Sequence, residues 1–126
     1  MDTVSVRYIV DDVDAAVEFY VTHLAFDVEL RPAPGFAMLS RGPLRLLLNA
    51  PGAGGAGRAA ASDAVPAPGG WSRFQIAVTD LDAMIDRLRE GGVTFRTDMV
   101  DGKGGRQVLV EDPAGNPIEL FEPSDA

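Results

Sequence analysis

The sequence predicts an α+β fold: two βαβββ modules with mixed sheets that form a cleft, within a single domain spanning residues 1–126. Three observations predict it. The first is an internal repeat with an offset of 68 residues: Ile9-Val10-Asp11-Asp12-Val13-Asp14-Ala15-Ala16-Val17-Glu18 is echoed by Ala77-Val78-Thr79-Asp80-Leu81-Asp82-Ala83-Met84-Ile85-Asp86. The second is that each copy runs from a strand pattern through an Asp into a helix pattern. The third is that short alternating segments bounded by Gly, Pro and Asn follow each helix. A repeat of this length marks one supersecondary unit used twice.

In module one, about residues 1–50, Thr3–Val10 alternates, with Val4, Val6, Tyr8 and Val10 on one side and Thr3, Ser5, Arg7 and Ile9 on the other. That is a half-buried strand. Asp12 is the expected N-cap of a helix from about Val13 to Thr22, with Asp14 and Glu18 placed favourably for the helix dipole. Val13, Ala16, Val17 and Tyr20 share one face and are expected to pack on the sheet. Phe26–Arg31, Phe36–Ser40 and Leu44–Asn49 read as strands. Pro32-Ala33-Pro34-Gly35 and Arg41-Gly42-Pro43 are the turns between them.

Residues 51–70 are Gly, Ala and Pro with little else and read as a flexible linker or lid. Module two, about residues 71–126, repeats the order. Trp71–Val78 is a strand, Asp80 a cap, and Leu81–Glu90 a helix stopped by Gly91-Gly92. Val93–Val100, Arg106–Glu111 and Pro117–Glu122 are strands. A mobile loop is expected at Asp101–Gly105 and a tight turn at Asp112–Asn116. Each module then has a four-stranded sheet with its helix on one face.

Composition narrows the function. The chain has 126 residues, 46% of them hydrophobic and 24% charged, which suits an ordinary globular domain. A formal net charge of −8 repels phosphate backbones and anionic lipid, so neither nucleic acid nor membrane is an expected partner. No apolar run approaches the ~18 residues of a membrane span, and no signal-peptide pattern opens the chain. Without cysteine there are no disulfides or thiolate sites, and a cytoplasmic location is the expectation. There is no nucleophile elbow and no Ser/His/Asp arrangement, and Gly102-Lys103-Gly104-Gly105 is loop composition rather than a phosphate cradle. The single histidine, His23, reads as a helix-end contact.

Two motifs carry a resemblance. Val-x-Asp-hydrophobic-Asp opens each helix, and Asp112-Pro113-Ala114-Gly115-Asn116-Pro117-Ile118-Glu119-Leu120 stands near the end. With the βαβββ order, they resemble the vicinal oxygen chelate superfamily: glyoxalase I, extradiol dioxygenases, fosfomycin-inactivating enzymes and bleomycin-resistance proteins. The resemblance covers the chain outside the linker. Its enzymes hold a divalent metal with four strand residues, two per module, on the first and last strands. The matching positions are Ser5, Leu47, Arg73 and Glu119. Of these only Glu119 is a competent ligand, and Arg73 is a fixed cation. The resemblance therefore implies no metal, no other cofactor and no catalytic residues here.

Residues alternating with those positions are expected to line the cleft as a ligand-binding set: Ser5, Arg7, Leu47 and Asn49, with Arg45, from module one, and Trp71, Arg73, Gln75, Glu119 and Phe121 from module two. Arg73 and Glu119 either neutralise each other or hold a ligand's polar group. Trp71 either stacks on a planar ligand or caps the core, while Phe36 and Met38 read as core. The implied function, nearest the bleomycin-resistance branch, is metal-free sequestration of a drug-like or natural-product small molecule, and hence antibiotic resistance. A homodimer is expected, with modules paired within a chain or swapped between chains. The alternative is a metal-dependent lyase, isomerase or dioxygenase of the glyoxalase type with unrecognised ligands.

Overall fold

Both helices begin where the repeat places them, because an aspartate caps each. In a computed structural model, which describes residues 2–53 and 64–124, helix α1 spans Val13–Leu24 and the Asp12 carboxylate accepts from the Ala15 N–H at 3.1 Å. Helix α2 spans Leu81–Glu90, and Asp80 accepts from the Ala83 N–H at 3.0 Å. These bonds satisfy N–H groups that a helix start otherwise leaves unpaired. Helix α1 runs two residues past the expected Thr22. It ends at Ala25, whose left-handed backbone (φ 58°) turns its N–H back to Tyr20 O. The chain divides into two compact units, Met1–Gly69 and Gly70–Ala126. Of the expected linker, residues 54–63 lie outside the described residues.

Unit one holds β1 (Val4–Ile9), β2 (Asp27–Ala33), β3 (Phe36–Arg41) and β4 (Leu44–Asn49) in the order β1-β4-β3-β2. The β1–β4 pair is parallel and the other two are antiparallel, so the sheet is mixed. Register sets Tyr8 beside Leu48 and Val6 beside Leu46, with Ala37 and Leu39 in the same rows. Helix α1 packs on this face, where Arg41 Nε donates to Leu24 O at 3.0 Å. Val10, Tyr20, Leu24, Phe26, Leu39, Leu46 and Leu48 are the fully buried centre of the unit.

Unit two holds β5 (Gln75–Ala77), β6 (Thr94–Phe95), β7 (Val100–Asp101), β8 (Gly105–Glu111) and β9 (Pro117–Pro123). The order is β5-β9-β8-β6, with β7 also on β8; β5–β9 is parallel and the rest antiparallel. Ile76, Val108, Val110, Ile118 and Leu120 line the face that meets Leu81, Met84, Ile85 and Leu88 of α2.

Two strands of unit two depart from expectation. The expected Val93–Val100 strand is broken into β6 and β7, so the sheet has five strands rather than four. The Arg96 and Thr97 N–H groups converge on the same Leu109 carbonyl, and Thr97 Oγ1 accepts the Leu109 N–H at 3.1 Å. A side chain thus takes the place of a ladder carbonyl, the mark of a bulge. The expected Trp71–Val78 strand shortens to β5. The Gly70 and Trp71 carbonyls are spent on Arg96 and Arg73 rather than on a neighbouring strand. Among the described residues no helix is long and apolar enough to cross a membrane.

Candidate functional site

The face of each sheet away from its helix carries the polar groups that the sequence singles out. In unit one, alternation places Ser5, Arg7 and Ile9 of β1 there. Pairing sets Ser5 beside Arg45, Arg7 beside Leu47 and Ile9 beside Asn49. The next strand continues the rows with Ser40, Met38 and Phe36. Ser5, Arg7, Leu47 and Asn49 are therefore brought onto one surface. Arg7 Nη1 donates to Asn49 Oδ1 at 2.5 Å, and Asn49 is only 4% exposed. Ser40 Oγ donates to Glu29 Oε1 at 2.5 Å. Phe36 and Met38, expected in the core, are half-buried on this face. Alternation along β3, counted from Leu47 through the Arg41-Gly42-Pro43 turn, is the signal that finds them.

In unit two the corresponding face is a tight polar knot. Arg73 Nε and Nη2 donate to Glu119 Oε1 at 3.1 and 2.9 Å, and Gln75 Nε2 donates to Glu119 Oε2 at 2.5 Å. Three N–H donors thus converge on one carboxylate that is 9% exposed. Gln75 is in register with Glu119, and Phe121 follows on the same face beside Gln107. Leu109, register partner of Glu119 and missed in the sequence, shares it. Gly104 and Gly105 lie against the tip of the Phe121 ring, where an added Cβ would stand 3.7 and 3.0 Å from Cζ.

Trp71 does not join this set through a strand. It is 66% exposed and lies before β5, with the Arg96 guanidinium 4.7 Å from its ring centroid. Arg96 also donates to Glu111 Oε2 at 2.8 Å, Gly70 O at 2.5 Å and Gly115 O at 2.8 Å. Arg96, which the sequence reading passed over, fastens the chain entering unit two to the β8–β9 turn. That turn is itself structural. Asp112 Oδ1 accepts from the Ala114 and Asn116 N–H groups, both at 2.9 Å, and Gly115 has φ 88°.

On the helix side of the same unit, Glu122 Oε1 accepts the Leu81 N–H at 2.9 Å and Oε2 takes Arg106 Nη2 at 2.8 Å. The Leu81 N–H first, then Arg106, hold the Glu122 carboxyl below its usual range. Arg106, bonded to Glu122 and facing Asp82, is held above its own. Ala77, Val78, Thr79, Glu122 and Pro123 line a pocket of about 370 Å³ beside this pair.

These residues do not fit a divalent metal. At the four positions matched to the enzymes' ligands, Ser5 and Leu47 offer a hydroxyl and a hydrocarbon, Arg73 is a cation, and both oxygens of Glu119 are taken. Among the described residues no group of three His, Cys, Asp or Glu side chains is placed to hold an ion. His23 lies in the last turn of α1, its ring 5.5 Å from that of Phe19.

The fold recurs in solved structures. A glyoxalase/bleomycin resistance protein/dioxygenase superfamily member from Sphaerobacter thermophilus DSM 20745 is 27% identical, with 97% of each chain covered and a TM-score of 0.76. TnmS3, an antibiotic binding protein from Streptomyces sp. CB03234, is 26% identical over 98% of this chain and 97% of its own, with a TM-score of 0.74. Lactoylglutathione lyase from Agrobacterium tumefaciens is 25% identical over 94% of this chain and 90% of its own, with a TM-score of 0.73. No curated protein matches the sequence. The family model for the glyoxalase/bleomycin resistance protein/dioxygenase superfamily matches residues 3–120, and with the two Asp-capped sheet–helix units it establishes that the chain belongs to that superfamily.

Proposed function

We propose that this protein binds and sequesters a drug-like or natural-product small molecule, without a metal, on the helix-free faces of its sheets. The observation that carries the reading is the state of Glu119. The one carboxylate at the family's ligand positions is clamped by Arg73 and Gln75, which together place a donor on each of its oxygens and two on Oε1. Ser5, Arg7, Leu47 and Asn49 in unit one, and Trp71, Arg73, Gln75, Glu119 and Phe121 in unit two, are the proposed ligand contacts. They combine apolar and aromatic surface with a few fixed polar groups, the make-up of small-molecule sites. The likeness to the antibiotic-binding TnmS3 supports the reading. A homodimer is part of the same proposal.

A second reading, a metal-dependent lyase or isomerase, is favoured by the likeness to lactoylglutathione lyase. Native mass spectrometry of tag-free protein, before and after addition of Mn²⁺, Ni²⁺ or Zn²⁺, separates the two. The expected result is a dimer mass that gains no stoichiometric metal and carries an organic adduct or accepts one from a panel of antibiotics. One tightly bound divalent ion per chain overturns it in favour of the enzyme.

A further inference from the structure

The proposed sequestering role leaves the ligand's chemistry open, and unit one narrows it. Four arginines of the described residues make ion pairs: Arg31 with Asp14, Arg73 with Glu119, Arg96 with Glu111, and Arg106 with Asp82 and Glu122. Among the described residues Arg7 makes none, and neither do Arg41, Arg45, Arg87 and Arg89, in a chain with 19 acidic and 11 basic side chains. It stands mid-strand on β1, on the helix-free face, and is exposed. What holds it is the neutral amide of Asn49, itself buried. A guanidinium has five N–H donors, and Asn49 engages one of them. The result is a cation fixed in direction but not neutralised, the preparation a planar anion needs for a two-point contact. Its own row is apolar, with Leu47 as its register partner and Met38 on the adjoining strand, and Phe36 lies in the next row; the row on the other side, Ser5, Arg45 and Ser40, is polar.

Resting on the small-molecule reading above, we infer that the ligand is an amphiphilic anion, an apolar or aromatic body bearing a carboxylate, sulfonate or comparable acidic group. Arg7, oriented by Asn49, receives that group while Leu47, Met38 and Phe36 take the body. The overall charge of −8 opposes binding of anions, so selectivity for one has to come from a local cation.

Two dyes test this. 8-Anilino-1-naphthalenesulfonate and the neutral N-phenyl-1-naphthylamine share a body and differ by the sulfonate. Fluorescence titration of the native protein at low salt is expected to show the sulfonate binding about tenfold tighter, the worth of one charge-assisted contact. Arg7→Gln removes that preference, so that the ratio of the two dye affinities falls to about one. Asn49→Asp, which supplies an internal acid to Arg7 at nearly constant shape, does the same. Equal affinity of the two dyes for the native protein, or a preference that survives Arg7→Gln, overturns the inference while leaving small-molecule binding intact. Loss of the preference in Arg45→Gln but not in Arg7→Gln overturns it too. Binding of neither dye overturns both.

Discussion

The two helix-free faces descend from one repeat and use their arginines in opposite ways. With an offset of 68 residues, Ser5 and Arg7 of β1 match Arg73 and Gln75, so the cation has changed places along the strand. The facing strand differs as well: Leu47 pairs with Arg7, whereas Glu119 pairs with Gln75. Unit two therefore closes on itself, with Arg73 and Gln75 both bonded to one carboxylate. Unit one has no acid at the equivalent place, and Arg7 rests on an amide. The lesson is that a shared backbone pattern fixes where side chains point. The place of the arginine along the first strand and the presence of an acid on the facing strand together decide whether the cation makes an internal ion pair.

The largest contrast lies in the glycines of the two units. At Gly105, with φ 151°, an added Cβ would stand 2.1 Å from Glu122 O, while at Gly42, with φ 58°, it would meet nothing within 4 Å. Gly105→Ala is expected to cost about 3 kcal/mol or more, because the obstacle is the backbone of β9, and Gly42→Ala only about 1 kcal/mol. Urea denaturation measures both; equal losses would mean the close approach of β8 to β9 is absent in solution.

A double-mutant cycle sharpens the comparison of the arginines. Glu119→Gln combined with Arg73→Gln is expected to give a coupling of about 2 kcal/mol, since Arg73→Gln leaves a buried carboxylate short of two of its three donors. Asn49→Ala with Arg7→Gln is expected to give about 0.5 kcal/mol, since an exposed guanidinium regains water. Similar couplings in the two cycles would erase the distinction between a closed face and an open one.

The smallest effect concerns pH. Because the Leu81 N–H and Arg106 lower the Glu122 pKa in the folded protein, the unfolded chain binds its proton more readily. The stabilisation is complete above the ordinary glutamate value of 4.5 and is lost as pH falls through the lowered folded value. Thermal melts from pH 7 to 3 should show a shallower acid decline for Glu122→Gln than for the native protein. Parallel declines would remove Glu122 as a contributor.

Much of the architecture was legible because its determinants are local. Asp12 and Asp80 cap helices where they stand, Leu44–Asn49 and Leu81–Glu90 have the bounds their periodicity predicts, and the Asp112–Asn116 turn follows from its own residue types. The Ser5, Arg7, Leu47 and Asn49 face was legible too, because alternation on a strand has a period of two. The break at Arg96–Thr97 was not, since it depends on Thr97 reaching Leu109, a residue on another strand. The place of Phe36 and Met38 is legible only by carrying alternation from Leu47 back through the Arg41-Gly42-Pro43 turn, because apolar side chains on either face of a sheet otherwise read alike until register assigns them.

The sequence by itself determined the family, the repeat, the helix starts and which residues share a face, because caps, turns and alternation act between residues close along the chain. Only the tertiary structure decided that Glu119 is taken by Arg73 and Gln75, that Arg96 rather than a strand anchors Trp71, and that Arg7 is held but not neutralised. These outcomes depend on distances between side chains brought together from 15 to 46 residues apart, which only the folded pairing of strands sets.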